Sequence, residues 1–562
     1  ALRGGPWGRA LWLLEASALA AAWVAGAPGG RPLRRYVRSG WLFLPALLHY
    51  RLMGRWVRHA GLTEAEARAA YEGLHAAYAR QLVDELVALG GLFVKIGQAL
   101  SLFSNIGIPP AYLRELKRLQ SEVPPLPGAE ARRLVAEALG MPLERAFSRF
   151  EDVPVGSASL GQVHRARLAA DGREVAVKLR YPAVAESLEA DFAWIEWLAE
   201  RLAPGEAATA RELRASFLRE LDFAAEARTL GRVHANLRAA FPEVNLPEPV
   251  PALCRPTLVV MTFVPGVSVL DSLLRAAGLV ARLSGRSVED LFAAASRAST
   301  ELKPGEEVEN AYAGEGARGL GPGLLARLAA LRAYQAAHNL GVDLCNLCLC
   351  RLGSPALGYC QALPSFDPVR VSRTAWRVQG HQLLVDGFFN TDSHPGNFLV
   401  DPRTGNVGLI DFGQVCEIGL ETRVRFARLV VALAEGDELE IALQHARLGM
   451  RTRGMSSEHL ALHARMKYGR ITTHQAFELQ ARLQALDAAD PVLAKAGDEK
   501  VALVEKMIML LRGTNVFLGV LGKHSAQTMW LEPARRLLAE HGAAFPEEPV
   551  ALDLAPGAAA GA

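Results

Sequence analysis

The sequence predicts an α+β fold in which a short strand-rich segment separates a helical extension from a mostly helical C-terminal region. Apolar residues recur at steps of four and three from Leu82 to Leu100, which is the spacing of one helix face. Alternating apolar residues at 156–168 and 174–179, separated by Asp171-Gly172, predict a β-hairpin. Helical patterns resume over 420–541. A small antiparallel sheet is therefore expected, with helical segments before and after it in the chain.

These changes of pattern divide the chain into five segments, and each has its own composition. The predicted segments are an apolar and basic stretch at 1–60, a helical extension at 61–140, a strand-rich lobe at 141–266, a mostly helical lobe at 267–541, and a low-complexity tail at 542–562 that we expect to be disordered.

The amino-acid composition excludes two classes of protein. Lys and Arg number 62 and Asp and Glu 59, so the net charge of +3 lacks the basic excess of a nucleic-acid-binding protein. Six cysteines in 562 residues are too few for a disulfide-stabilised scaffold. The mean hydropathy of +0.12 is high for a globular chain and favours association with a membrane surface.

The first 60 residues combine apolar and basic stretches. Residues 10–25 are apolar but short for a membrane span of about 20 residues, and a basic cluster follows at 31–38. A second apolar patch lies at 41–48. A targeting or membrane-apposing segment and a buried N-terminal helix both account for this pattern, and the sequence does not choose between them.

Three features of the strand-rich lobe suit a bound phosphate chain. The loop Gly156-Ser157-Ala158-Ser159 has small side chains that let backbone amides approach phosphates. Lys178 lies on an apolar strand, although a strand-end lysine at the surface has the same pattern. Asp222 and Glu226 are four residues apart and share a helix face, so Glu226 is a candidate partner for Lys178 as well as part of a solvated acidic face.

Two further motifs lie in the helical lobe. Asp392 and Asn397 have the D-x-x-x-x-N spacing of a kinase catalytic loop, and Asp411 opens an Asp-Phe-Gly sequence after a short apolar strand. A carboxylate at the end of a buried strand is costly unless it binds a partner such as Mg²⁺. Loop, lysine, glutamate, catalytic-loop pair and metal-loop aspartate occur in the order of a protein kinase, which predicts a protein-kinase-like two-lobed fold that binds a nucleotide.

Four motifs make the chain resemble the UbiB-type atypical kinases, also called aarF-domain kinases and associated with coenzyme Q biosynthesis. They are KIGQ at 95–98, PVGSASLGQVHRA at 154–166, ELD at 220–222 and DGFFNTDSHPGN at 386–397. The resemblance covers about residues 80–430. The chain departs from the family in its small-residue loop, which is usually a run of alanines, and in the catalytic loop, where Asn390-Thr391 replaces His-Ala and Ser393 replaces Pro.

The resemblance implies a role for each matching residue. Lys178 would contact nucleotide phosphates and pair with Glu226, Asp392 would act as the loop aspartate, and Asn397 and Asp411 would hold Mg²⁺. Met261 would lie at the nucleotide hinge, although the acidic residue expected beside it is Thr262. The family-specific residues of the extension and its partner helix would restrict access to the cleft where a protein substrate lies: Lys95, Gln98, Glu220 and Asp222.

The same resemblance implies ATP or ADP with Mg²⁺ as ligands, and ATP hydrolysis or restricted phosphotransfer as the activity. It places the protein in isoprenoid-quinone or lipid metabolism at the membrane of a mitochondrion or chloroplast, with a quinone-like or lipid small molecule as a partner and a protein substrate doubtful. A true protein kinase and a catalytically silent, nucleotide-gated scaffold are the alternatives.

Residues 336–380 have no clean periodicity and carry four of the six cysteines. Cys345, Cys348 and Cys350 resemble a metal knuckle with Cys360, but a closed zinc site normally pairs two ligand clusters. The flanking sequences 325–334 and 381–389 would join into one helix, so we predict that 336–380 is an insertion, such as a retained intron, that can be removed.

Overall fold

The structure is a computed structural model, and it describes most of the chain between residues 45 and 553. The described residues are 45–46, 48–89, 93–94, 97, 109–120, 125–157, 160–182, 184, 188–189, 191–192, 196, 214, 218, 221–288, 290, 322–351, 357, 366–494, 497, 499–547 and 549–553. Several predicted features lie outside them: the stretches 10–25 and 31–38, and the residues Lys95, Gln98, Ala158, Ser159, Glu220 and Cys360.

The chain forms two compact units. The first contains residues up to Ala227 together with Pro249–Phe263, and the second contains Arg228–Glu248 together with the chain from Val264 onward. Within the described residues, no helix combines the length and hydropathy needed to cross a bilayer.

The described helices and strands agree with the predicted α+β class. The helices are α1 (Glu64–Leu89), α2 (Pro110–Leu116), α3 (Gly128–Leu139), α4 (Leu143–Ala146), α5 (Phe223–Ala240), α6 (Val269–Ser284), α7 (Pro322–Arg351), α8 (Pro368–His381), α9 (Leu420–Glu435), α10 (Glu438–Arg447), α11 (Ser457–Tyr468), α12 (Thr473–Ala489), α13 (Glu499–Phe517), α14 (Ala526–Met529) and α15 (Leu531–His541). The strands are β1 (Phe147–Phe150), β2 (Gly156–Ser157), β3 (Gly161–Leu168), β4 (Glu174–Arg180), β5 (Leu258–Thr262), β6 (Val267–Ser268), β7 (Phe388–Asn390), β8 (Phe398–Val400), β9 (Val407–Leu409), β10 (Val415–Glu417), β11 (Arg451–Thr452) and β12 (Val492–Ala494).

An antiparallel sheet of five strands organises the first unit. Its order is β1-β3-β4-β5, and the short β2 pairs with β3. Alternation along β4 directs Val175, Val177 and Leu179 into a core that helix α3 covers. The intervening residue Lys178 therefore points to the opposite face, where the sheet can present it to a ligand.

The helical extension packs on its own small core. Val83 of α1 is buried with Leu116 and Leu119. The buried residue is therefore Val83, whereas the predicted stripe contained its neighbour Leu82. Gly97 lies close to this core, because a Cβ at this position would meet the Leu119 side chain.

Helix α8 is a central element of the second unit, which contradicts the prediction that 336–380 can be removed. Trp376 is fully buried and packs against Trp530, whose Nε1 donates to the Trp376 carbonyl at 2.7 Å. Trp376 Nε1 in turn donates to Asn515 Oδ1. Gly380 leaves the space that the Trp530 ring occupies. The apolar pattern alone does not reveal this burial, because several buried residues of α8 are polar, including Ser372, Thr374 and Gln379.

Two other predictions require correction in this region. Helix α7 runs from Pro322 through residue 336 to Arg351, so no break marks the predicted start of the insertion. The segment after 541 is not disordered as a whole, because Asp553 N donates to Met455 O at 3.0 Å and Glu547 pairs with Arg428. Residues 554–562 lie outside the described residues.

We predict that residues within 336–380 differ sharply in their contribution to stability. Trp376→Ala should lower the free energy of unfolding by about 3–5 kcal/mol, because it opens a cavity beside Trp530. Leu344→Ala is the control, since Leu344 lies on α7 with 60% exposure and its loss should change stability by less than about 0.5 kcal/mol. Urea unfolding of both variants measures the difference, and equal midpoints would contradict the central role of α8.

Candidate functional site

The first group of candidate residues is built around a buried ion pair in the first unit. Lys178 Nζ lies 2.6 Å from Glu226 Oε1, and the two side chains are only 19% and 8% exposed. The Phe223 ring lies 5.1 Å from the same ammonium group. Glu226 is therefore the partner of Lys178 and not part of a solvated acidic face. Its direct contact orients the lysine side chain.

The local sequence explains where Glu226 lies. Asp222 precedes helix α5, and its Oδ1 accepts a hydrogen bond from Ala225 N at 3.0 Å, which caps the helix. Glu226 then falls in the first turn, where the positive end of the helix dipole stabilises a carboxylate. Asp222 thus supports the position of Glu226, a role that the helix-face argument did not foresee.

The small-residue loop is described only in its first half. Gly156 and Ser157 form β2 and pair with Val163 and Gln162 of β3. Ser157 Oγ lies 2.8 Å from the hydroxyl of Tyr181, and burial raises the pKa of that tyrosine. The β3–β4 hairpin thus holds the start of the loop.

The Gln-Val-His motif after the loop has a structural role that the sequence did not reveal. Gln162 and His164 are both fully buried, and their Nε2 atoms are 2.7 Å apart. Gln162 also accepts from Leu126 N, and His164 Nδ1 bonds to the Glu151 carbonyl. Burial lowers the pKa of His164 and favours the neutral ring. The motif therefore joins two neighbouring segments of backbone to the sheet.

The hinge candidate Met261 lies on β5, directly across from Ala176 of β4. It is 6% exposed, and its backbone forms an isolated bridge to Pro249. Paired residues of antiparallel strands share a face, so Met261 lies on the same face as Ala176. Lys178 is two residues beyond Ala176 on β4 and therefore lies on that face too.

The second group of candidate residues lies in the second unit, at one end of an antiparallel strand pair. Phe398 of β8 pairs with Leu409 of β9, so Asn397 just before β8 and Asp411 just after β9 are at the same end. Ile410 N donates to Asn397 O at 3.2 Å and extends this pairing. This strand pair brings the two predicted metal ligands into one region.

Hydrogen bonds also position the loop aspartate. Asn397 Nδ2 donates to the Asp392 carbonyl at 2.9 Å, which directs the amide oxygen of Asn397 away from it. Asn390 bridges the two loops, because its Oδ1 accepts from Asp392 N and its Nδ2 donates to the Asp411 carbonyl. The three residues Asp392, Asn397 and Asp411 are therefore joined through backbone and side-chain contacts.

The catalytic-loop residues that differ from the family pattern make hydrogen bonds in this structure. Ser393 Oγ accepts a hydrogen bond from Gln379 Nε2 at 2.5 Å and donates to the Asn390 carbonyl. Thr391 Oγ1 donates to Gln414 O. Asn390, Thr391 and Ser393 are therefore all held by hydrogen bonds within the second unit. The positions of Asp392 and Asp411 are compatible with these replacements.

Helix α13 contributes a residue that the sequence did not single out. Lys506 Nζ lies 3.7 Å from Asp392 Oδ1 and donates to Gln414 Oε1 at 2.9 Å. Because Lys506 is more than 100 residues beyond Asp392 and follows no motif, no local signal could have identified it. It is a positive charge beside the loop aspartate.

Asn397 and Asp411 fit the chemistry of Mg²⁺. This cation prefers oxygen ligands, and the amide oxygen of Asn397 and the carboxylate of Asp411 are both of that class. One Asp411 oxygen accepts from Gly413 N at 2.9 Å, which orients the carboxylate. Of the four knuckle cysteines, Cys345 has an exposed side chain, and the side chains of the other three lie outside the described part of the structure.

A family model for the ABC1 atypical kinase-like domain matches residues 118–294 and 353–445. These ranges include all the described candidate residues: Gly156, Ser157, Lys178, Asp222, Glu226, Met261, Asp392, Asn397 and Asp411. The chain contains an ABC1 atypical kinase-like domain, which confirms the predicted resemblance to the UbiB-type atypical kinases. Between the two matched ranges, residues 295–352 are unmatched, and most of them precede the predicted insertion at 336–380.

Curated relatives agree with this family. The chain is 27% identical over 379 residues to "Protein ACTIVITY OF BC1 COMPLEX KINASE 1, chloroplastic" of Arabidopsis thaliana, which covers 66% of this chain and 42% of that protein. It is 34% identical over 231 residues to "Probable protein kinase UbiB" of Aeromonas salmonicida, which covers 39% of this chain and 42% of that protein. The chain thus spans less than half the length of these two relatives.

A solved structure, the complex of Rv3197 with erythromycin from Mycobacterium tuberculosis, is also similar. It covers 85% of this chain and 98% of that chain at 21% identity, with a TM-score of 0.40. The protein-kinase-like assignment therefore depends on the family match and on the described elements.

We predict that the Lys178–Glu226 pair is strongly coupled in stability. Lys178→Met should cost about 3 kcal/mol, because it leaves the 8%-exposed Glu226 carboxylate without this cation. Adding Glu226→Gln should restore at least about 1 kcal/mol, since the buried charge is then gone. A double-mutant cycle in urea measures this coupling.

The matched control is the surface pair Arg133–Glu137 on α3, in which both side chains are 57% exposed. Its coupling should stay below about 0.5 kcal/mol. Equal coupling in the two cycles would show that the Lys178 pair is an ordinary surface contact.

Proposed function

We propose that this protein binds ATP or ADP with Mg²⁺ and hydrolyses ATP or transfers its terminal phosphoryl group to a restricted acceptor. The observation that carries the proposal is the pair of hydrogen-bonded constellations, one built on Lys178 and Glu226 and the other on Asp392, Asn397 and Asp411. Phosphoryl transfer needs charge neutralisation and positioning, and these residue types supply both.

Each residue has a proposed task. Lys178 binds nucleotide phosphates, and Glu226 holds its ammonium group in place. Asn397 and Asp411 are the proposed Mg²⁺ ligands, and the bound cation would neutralise charge on the phosphate oxygens. Asp392 orients the attacking hydroxyl or water, and Lys506 Nζ places a positive charge 3.7 Å from its carboxylate.

The small-residue loop beginning at Gly156 and Ser157 is the proposed phosphate cover, and Met261 is the proposed hinge contact. The family-specific residues Lys95, Gln98, Glu220 and Asp222 remain predicted to restrict access for a protein substrate. Only Asp222 is described among them, and its contact with Ala225 N supports a structural contribution to the helix that carries Glu226.

We propose isoprenoid-quinone or lipid metabolism at an organellar membrane as the setting. The Arabidopsis relative is named as a chloroplastic protein, and the Aeromonas relative is named as a probable protein kinase UbiB. The high mean hydropathy of +0.12 is consistent with a membrane-apposed chain that handles an apolar molecule.

ATP turnover tests the reaction class. We expect Mg²⁺-dependent phosphate release by the purified protein, increased by detergent or by a quinone headgroup mimic, with little transfer to generic peptide substrates. Efficient peptide phosphorylation would favour a true protein kinase instead. Nucleotide binding without any turnover under all these conditions would favour a nucleotide-gated scaffold.

Substitution of Asp411 tests the metal site separately. Asp411→Asn should remove the Mg²⁺-dependent part of the thermal stabilisation by ATP, which is about 2–3 kcal/mol for wild type at 100 times the dissociation constant. The melting temperature without nucleotide should change little, because the amide oxygen can still accept from Gly413 N.

Asp437→Asn is the control for this variant. Asp437 caps α10 through Glu440 N, and Asn caps a helix equally well. If Asp411→Asn and Asp437→Asn respond to Mg-ATP as wild type does, Asp411 is not a metal ligand.

A further inference from the structure

A separate cluster of histidine and aspartate side chains lies in the second unit, outside the proposed nucleotide-binding residues. His459 and His463 are four residues apart on α11, so both rings project from one face of the helix. Asp487 on α12 faces them, and its Oδ1 lies 2.8 Å from His459 Nε2 and 3.0 Å from His463 Nε2. Two imidazole nitrogens thus converge on one carboxylate oxygen.

We propose that His459, His463 and Asp487 form a binding site for a divalent cation of the zinc class. Their ligand atoms all lie within 4.8 Å of one another. Imidazole nitrogen with one carboxylate is a donor set that Zn²⁺ favours, whereas Mg²⁺ prefers oxygen. Zinc ligands lie about 2.1 Å from the metal and roughly 3.4 Å from each other, so each histidine Nε2 needs to move only about 0.5 Å away from Asp487 Oδ1.

A second carboxylate supports the site from outside. His459 Nδ1 lies 3.4 Å from Asp490 Oδ2, so His459 presents Nε2 to the proposed metal and its other ring nitrogen to an acid. Asp490 is itself held by Thr452 Oγ1 at 2.6 Å and by Gly454 N at 2.6 Å. Metal-binding histidines usually have such a partner, which fixes the tautomer and the ring orientation.

Burial and charge also suit a cation. The His459 side chain is 0% exposed and that of His463 10%, whereas Asp487 is 41% exposed. The carboxylate of Asp487 would offset part of the charge of a divalent cation. The exposed Asp487 leaves an entry path and room for water as a further ligand.

The proposed cation would link three elements. Helices α11 and α12 supply the ligands, and Asp490 at the end of α12 connects them to Thr452 of β11. A metal at this point would stabilise the folded state in proportion to its binding free energy. The site is independent of the nucleotide proposal, because none of its residues takes part there.

Cobalt uptake tests the site directly. The full-length protein, free of any affinity tag and stripped with EDTA, is titrated with Co²⁺ in excess Mg²⁺, which occupies oxygen-only sites. We expect about one equivalent of Co²⁺ with the visible absorption of a low-coordinate nitrogen and oxygen site, displaced by Zn²⁺. Zn²⁺ should also raise the melting temperature of the stripped protein.

Two variants and one control make this test specific. His463→Ala and Asp487→Asn should each weaken Co²⁺ binding by about 10-fold or more. His541→Ala removes a histidine from the end of α15, away from the cluster, and should bind Co²⁺ as wild type does. Circular dichroism of the metal-free variants establishes that each is folded.

Three outcomes would overturn the proposal. The first is a wild-type protein that takes up no stoichiometric Co²⁺, which would leave the cluster as a hydrogen-bonded contact between helices. The second is unchanged binding in folded His463→Ala and Asp487→Asn. The third is the near-ultraviolet charge-transfer absorption of a Co²⁺–thiolate site that is lost on Cys345→Ser, which would assign the metal to the cysteines.

Discussion

Antiparallel pairing of β8 with β9 is the constraint on which the candidate site of the second unit depends. It places the residue before β8 and the residues after β9 at one end of the pair, and Ile410 N to Asn397 O extends the ladder to that end. A slip of one residue would turn Asn397 or Asp411 toward the opposite face. Asn390 then ties the catalytic loop to the metal loop through two hydrogen bonds.

In the first unit, strand alternation and an ion pair together orient Lys178. Strand alternation buries Val177 and Leu179, and it leaves Lys178 on the other face, where Glu226 receives it. Two partly desolvated charges attract each other more strongly than they would in water, but each is costly without the other. The pair therefore orients Lys178 and makes the fold depend on both residues.

The departures from the family pattern have a physical explanation in the contacts of this chain. Asn390, Thr391 and Ser393 all make hydrogen bonds inside the second unit, including the one between Ser393 and Gln379 of α8. Helix α8 is in turn packed through Trp376 against Trp530. Residues 295–352 separate the two ranges that the family model matches, whereas α8 lies inside the second range and supports the catalytic loop.

The sequence by itself determined the fold class and the identity of Lys178, Asp392, Asn397 and Asp411 as candidates, because spacing and strand alternation are local properties. Its four motifs carried the resemblance to the family. It could not determine the contribution of Lys506, the bridging role of Asn390 or the convergence of His459 and His463 on Asp487. Those contacts join residues on different elements, and only tertiary packing decides which side chains meet. The predicted insertion failed for the same reason, since the burial of α8 depends on Trp530, more than 150 residues away.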